Sequence, residues 1–237
     1  MTKEEIKYRL KTKGYCHFHI SEFDKKYQEG LGKYIIGSDD SNYKKSMTGI
    51  RLDVINKELR HDIIISDFFD KNGESKMYKT DSFENAETVK NYIRGNYPKE
   101  DLFQIWYWSD DINMIVQDYY KLYFDKLARY FYDVEPNQQL KFNSQFTMYG
   151  KDCFLQNHRD GKTDGRLCVI LIYLNEEYDE SNGGVLILNT NEKVLPKFGN
   201  IAILDLGSFD IEHEVTEVIG EQNRYCVLSF VSLKNGE

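Results

Sequence analysis

The hydrophobic period of this chain changes at Pro136, and that change limits the folds open to it. Ahead of the proline, Ser109-Asp110-Asp111 reads as a helix start, and Ile112, Ile115, Val116, Tyr119, Leu122, Tyr123, Leu127 and Phe131 recur at three- and four-residue steps. Beyond it the period falls to two. Strand-like runs cover Gln139 to Tyr149, Arg166 to Leu174, Val185 to Leu188, Ile201 to Leu206 and Arg224 to Leu233. Many short strands following a helical layer predict an α+β fold, a double-stranded β-helix (jelly-roll) barrel backed by N-terminal helices. A length of 237 residues suits a single domain of this kind. We divide it into a helical and mixed support over 1–136 and a jelly-roll core over 137–235.

The support begins with Thr2 as an N-cap, acidic residues in the first turn, and Ile6 and Leu10 at helical spacing up to Gly14. Tyr15 to Ile20 alternates like a strand, and Ser21-Glu22-Phe23-Asp24 offers a cap for a further short helix. Residues 70–101 are polar, with turn signals at Asn72-Gly73, Gly95-Asn96 and Pro98, and read as an exposed insertion suited to a lid or substrate-recognition loop.

Lys and Arg total 31 against 39 Asp and Glu, a formal charge of -8, which argues against a nucleic-acid partner. The apolar runs fall far short of the roughly 20 residues of a membrane-spanning helix, so no membrane partner is expected. Cys16, Cys153, Cys168 and Cys226 form no Cys-x-x-Cys pair, and no secretory leader stands at the N-terminus. These features lead us to expect a soluble, cytoplasmic protein with reduced thiols.

Chemistry concentrates in the β region. His158 and Asp160 flank one residue, so on an extended segment both face the same way while Arg159 faces the other. His213 lies far enough along for several strands to fold back between them. Two imidazoles and one carboxylate occupy one face of an octahedral Fe(II) and leave positions open for a chelating co-substrate and oxygen, and no cysteine stands near in a zinc-like spacing. Arg224 opens the last strand-like run, where burying a guanidinium is costly unless an anion meets it. A dicarboxylate whose 2-oxo acid end chelates the iron would place its other carboxylate against Arg224 in a bidentate pair.

On these residues the chain resembles the prolyl-hydroxylase-like Fe(II)/2-oxoglutarate-dependent dioxygenases over roughly Lys141 to Val231. The matching features are Tyr149 ahead of His158, the run Arg166 to Asn175 ending in Tyr173-Leu174-Asn175, Gly183-Gly184, Pro196 to Asn200, and His213-Glu214-Val215. The resemblance implies Fe(II), 2-oxoglutarate and O2, with ascorbate as an auxiliary reductant. It also implies that Tyr149 hydrogen-bonds the co-substrate, that Val215 packs near it, and that the product is a hydroxylated prolyl residue of a peptide or protein, or a hydroxylated free amino acid. Leu155 and Ile172 depart from the family pattern, each at a place where members carry an aromatic residue. The arginine that the nucleic-acid-demethylating branch carries six positions after Arg224 is replaced by Phe230, and Arg224-Tyr225-Cys226 lacks the Arg-x-Ser signature of the penicillin-synthase-like branch.

Plainer readings stand beside these. A lone His-x-Asp often only hydrogen-bonds locally, Arg224 can pair with Asp205, and Tyr149 can be an ordinary barrel aromatic. His17, His19 and His61 are expected at the surface or in packing, and Trp106-Tyr107-Trp108 to wedge the helical layer onto the barrel or to line an entrance. A cupin-like metal oxygenase without 2-oxoglutarate and a non-catalytic jelly-roll binding module are the alternative functions.

Overall fold

The computed structural model describes residues 1–19, 63–69, 75–79, 83–161, 165–175, 177–189 and 191–234. Helix α1 (Lys3–Lys13) starts at a capping box, in which the Thr2 hydroxyl accepts from Glu5 N–H and the Glu5 carboxylate accepts from Thr2 N–H. It ends at Gly14, whose φ of +80° provides the left-handed cap. Strand β1 (Tyr15–His19) follows directly. The helix start at Ser21 and the histidine at position 61 fall outside the described residues.

Two antiparallel sheets face each other. The larger has the order β1, β11 (Asn200–Asp205), β8 (Arg166–Tyr173), β13 (Arg224–Leu233), β6 (Leu140–Tyr149), β5 (Tyr107–Ser109), β2 (Ile63–Phe69), β3 (Ser75–Lys79). The smaller runs β10 (Glu192–Val194), β9 (Leu186–Leu188), β12 (His213–Val215), β7 (Phe154–His158), β4 (Gln104–Ile105). The five strand-like runs of the sequence correspond to β6, β8, β9, β11 and β13 with small shifts at their ends.

Strand β8 reads Leu167-Cys168-Val169-Ile170-Leu171-Ile172-Tyr173, apolar almost without interruption, because both of its faces are covered. One face looks into the barrel and the other meets the helical layer. Helix α3 (Asp110–Tyr132) crosses β6 and reaches β13, β8 and β5, burying Tyr120, Phe124, Leu127, Ala128 and Phe131. Phe131 meets Phe18 of β1, with ring centroids 6.1 Å apart. Within the sheet, Ser144 and Ser229 stand directly opposite each other and share a 2.9 Å hydrogen bond, which satisfies a buried polar pair.

Most of residues 87–100, in the segment expected to be an exposed polar insertion, are exposed, but the segment also carries regular structure. It contributes β3 to the edge of the larger sheet, and helix α2 (Phe83–Asn96) buries Ile93 fully and Lys90 almost fully. The Lys90 ammonium donates to the Glu87 carboxylate and to the Lys151 carbonyl, and Arg94 pairs with Glu217 at 2.7 Å. Composition hides these anchors because long basic side chains cover apolar surface while their charged ends find partners.

Candidate metal and co-substrate site

Strands β7 and β12 are neighbours, and their register sets His158 directly opposite His213. The two imidazole centroids are 4.2 Å apart. Asp160, just past the end of β7, brings its carboxylate to the Nε2 atoms of both rings. Its carboxylate oxygens lie 3.4 Å from His158 Nε2 and 3.7 Å from His213 Nε2, and the three candidate ligand atoms all fall within 4.8 Å of one another.

Both histidines are oriented by the same local device. His158 Nδ1 lies 2.9 Å from the Gln156 carbonyl and His213 Nδ1 lies 3.1 Å from the Ile211 carbonyl. A carbonyl can only accept, so each Nδ1 carries a proton and each Nε2 is turned toward Asp160, to which a protonated His158 donates and where a neutral ring would offer its lone pair to a metal. Burial holds His213 below the ordinary histidine range. For His158 burial acts in the same direction, but the hydrogen bond and charge of Asp160 outweigh it and raise the imidazole. Burial opposes ionisation of Asp160 too, yet the hydrogen bond from His158 and the charges of both imidazoles and of Arg166 keep its carboxyl below the usual range.

The surrounding chain fixes the loop that carries Asp160. Arg159 points away from the ligand cluster, as its alternation predicts, and pairs with Asp210 at 3.1 Å and Glu212 at 2.5 Å, tying the first ligand segment to the approach of the second. Arg166 donates from Nη1 to the Asp160 carbonyl at 3.1 Å while its guanidinium lies 4.9 Å over the Phe230 ring. Phe103 meets His158 edge-on, with centroids 5.3 Å apart.

Deeper in the barrel, Arg224 stands opposite Tyr149 in the β13–β6 ladder. Its guanidinium carbon is 4.7 Å from the Tyr149 ring and 5.2 Å from the Tyr173 ring. Arg224 is 2 % exposed, forms no ion pair among the described residues, and leaves Nε without a hydrogen-bond partner. Asp205 does not neutralise it: that carboxylate belongs to the opposite end of β8, beside Cys168, and accepts from Ser208 N–H. Val215 is buried between Leu186 and Leu155 on β12. Trp106 stacks on Tyr149 with centroids 6.3 Å apart, whereas Tyr107 turns its hydroxyl to Glu87. His17 bonds Glu192 and His19 bonds the Phe198 carbonyl, so both serve packing.

Two tyrosines near Arg224 escaped sequence reasoning. Tyr173 faces the arginine because β8 and β13 pair Tyr173 with Cys226. That register is a pairing between distant parts of the chain, and no residue pattern announces it. Tyr178, on the loop after β8, is buried with its hydroxyl unpartnered. A tyrosine in a polar loop gives no periodic signal.

The donor set suits a ferrous ion: two imidazole nitrogens and one carboxylate on one side, with none of the four buried, free cysteines among them. Nearby, a buried cation with an orphaned N–H suits the far carboxylate of a bound dicarboxylate.

Residues 144–232, which hold His158, Asp160, His213 and Arg224, match the family model of the 2OG-Fe(II) oxygenase superfamily. Among curated proteins no sequence matches this chain. Among solved structures, the chain is similar to a prolyl hydroxylase from Trichoplax adhaerens, solved in complex with a hypoxia-inducible factor oxygen degradation domain peptide fragment. The two are 16% identical, with 97% of this chain and 88% of that one covered and a TM-score of 0.56. It is also similar to an oxidoreductase of the 2OG-Fe(II) oxygenase family from Burkholderia pseudomallei, at 12% identity, 99% and 92% coverage and a TM-score of 0.51. At these identities the likeness establishes the fold, a double-stranded β-helix.

Proposed function

We propose that this 2OG-Fe(II) oxygenase, whose superfamily domain occupies residues 144–232, hydroxylates a C–H bond of a prolyl residue or of a free amino acid. The observation that carries the reading is the convergence of His158, Asp160 and His213 beside a buried arginine that has an N–H to give.

The cofactors of the superfamily are ferrous iron, 2-oxoglutarate and dioxygen. Together they couple oxidative decarboxylation of the oxo acid to succinate with insertion of an oxygen atom into a C–H bond. His158, Asp160 and His213 would hold the metal from one side, each imidazole locked in the ligating tautomer by its carbonyl partner. Arg224, backed by Tyr149 and Tyr173, would take the far carboxylate of 2-oxoglutarate and so fix which way the oxo acid end points. Asp160 fills the position that halogenating relatives leave open, which favours hydroxylation. Arg166 and Phe230 border the Asp160 loop and would meet the substrate, a cationic edge beside an apolar surface.

Two other readings explain less. A cupin-like oxygenase using no oxo acid leaves the buried charge of Arg224 without a purpose. A non-catalytic jelly-roll binding module has no need of three ligand atoms held in register.

Succinate release is the deciding measurement. With Fe(II), 2-oxoglutarate and oxygen the protein should form succinate, and His158→Ala and Asp160→Ala should abolish it. Failure of the iron-loaded wild type to bind 2-oxoglutarate rejects the proposal. A mass-shift screen against peptides and free amino acids then separates the two substrate classes by which one gains about 16 Da, the mass of a single inserted oxygen atom.

A further inference from the structure

Register determines which side chains of the larger sheet line the barrel. Arg224 faces the interior, so Cys226, Leu228, Phe230 and Ser232, at two-residue steps along β13, face the same way. Residues directly opposite each other in an antiparallel ladder share a face. Strand β6 therefore sets Gln145 beside Leu228, Asn143 beside Phe230 and Lys141 beside Ser232. On the other side of β13, the register shift between Val231 and Ser232 brings Arg166 of β8 opposite Ser232 and onto this face, where its guanidinium covers the Phe230 ring at 4.9 Å.

Away from Arg224 this wall opens to solvent. Thr147, opposite Cys226, is 2 % exposed, Gln145, Leu228 and Phe230 are half-buried, and Asn143 and Lys141 are exposed. The open part carries an apolar strip, Leu228 and Phe230, edged by the amides of Asn143 and Gln145, whose side chains make no hydrogen bond among the described residues. It ends in two cations on either side of Ser232, and neither Lys141 nor Arg166 has an ion pair among the described residues. The acidic groups of the two ligand segments are engaged elsewhere: Asp210 and Glu212 pair with Arg159, and Asp160 faces the two imidazoles. Arg166 also donates to the Asp160 carbonyl, so the cationic end of the strip adjoins the segment that carries a metal ligand.

Length, polarity and charge each restrict the occupant. From Leu228 to Ser232 is four strand steps, roughly 13 Å, which a single amino acid does not span and an extended peptide does. A side-chain amide offers a donor and an acceptor together, the complement of a peptide group. Unneutralised Lys141 and Arg166, on a chain of formal charge -8, create a local field that draws a carboxylate.

We propose that Leu228, Phe230, Asn143 and Gln145 form a track for an extended peptide, and that Lys141 and Arg166 at its end select a peptide with acidic residues near the hydroxylated position. This deepens the proposed function, on which it rests, by naming an acidic peptide as the substrate class in place of a free amino acid.

The test uses three fluorescein-labelled, end-capped peptides with a central proline, identical except that the flanking positions alternate alanine with aspartate, with asparagine or with lysine. Anisotropy titrations are made under anaerobic conditions on protein loaded with Fe(II) and 2-oxoglutarate. Wild type should bind the aspartate peptide about tenfold more tightly than the lysine peptide, with the asparagine peptide between them. Lys141→Glu should remove most of that preference and Lys141→Arg should keep it, with iron and 2-oxoglutarate bound as in wild type. Equal binding of the three peptides, binding of none of them, or a preference that survives in Lys141→Glu overturns the inference. Calorimetry with 2-oxoglutarate on the same samples separates the two levels: a protein that binds the oxo acid and no peptide loses the peptide track alone, whereas wild type that binds no 2-oxoglutarate overturns the proposed function itself.

Discussion

Arg224 carries a full charge into the barrel, and no carboxylate of the described residues meets it. Taking an ion out of water costs several kcal/mol, and the faces of Tyr149 and Tyr173 return only part of that. The site is thus built at the expense of the fold. Replacement of Arg224 by methionine, an apolar side chain of comparable reach, should raise unfolding free energy by about 1–2 kcal/mol in the absence of co-substrate. The same change should remove 2-oxoglutarate binding while iron still binds. Chemical denaturation and calorimetry on the one variant check both halves, and a less stable Arg224→Met protein would mean that the guanidinium has a partner in the resting fold. His158, Asp160, His213 and Arg224 were legible in the sequence because each is a residue that folding alone does not ask for at its place in an alternating strand. Tyr173 and Tyr178 were not, since a tyrosine in an apolar strand or a polar loop is ordinary until the register shows what it faces.

Strands disclose themselves when one face differs from the other, as in β6 and β13, or when an unbroken apolar run is covered on both faces, as in β8 and β11. The short pieces β4, β5, β10 and β12 gave no such signal: two or three residues define no period, and pairing makes them strands, with a distant partner for β4, β5 and β12 and with the neighbouring β9 for β10. Helix α2 was hidden by its charge. One side chain matters to the larger sheet beyond its own position. Asn175, in the Tyr-Leu-Asn run, donates to the Asn223 carbonyl at 2.6 Å and accepts from Tyr225 N–H at 2.9 Å, gripping the backbone on both sides of Arg224 where the β8–β13 ladder ends. Asn175→Ala leaves both backbone groups without their partner and should cost about 2 kcal/mol. Asn175→Asp keeps the acceptor for Tyr225 and should recover part of the loss in thermal unfolding. Equal melting of the two variants would show that the contact to Tyr225 contributes nothing.

At the scale of the molecule the barrel must also be closed where no ladder joins its sheets. Strand β1 ends the larger sheet and β10 ends the smaller, and Glu192 of β10 reaches across to β1. Its carboxylate accepts from the Tyr15 hydroxyl at 3.0 Å, lies 2.8 Å from His17 Nε2, and has the Lys13 ammonium 3.7 Å away. Partial burial raises the Glu192 carboxyl, but the hydrogen bonds from Tyr15 and His17 and the charges of His17 and Lys13 prevail and set it below the ordinary glutamate value. A carboxyl whose pKa is lower folded than unfolded contributes stability above the unfolded value, and that contribution is lost as pH falls through the folded one. The group is partly exposed, so solvent screening holds the contribution to about 0.5 kcal/mol. Glu192→Gln should therefore be less stable than wild type by roughly that amount at neutral pH, and the gap should close as pH drops below the ordinary glutamate range. Denaturation midpoints measured across that acid range decide the point. A gap that stays constant down to the lowest pH would show that the amide alters packing and that the carboxylate charge plays no part in closing the barrel.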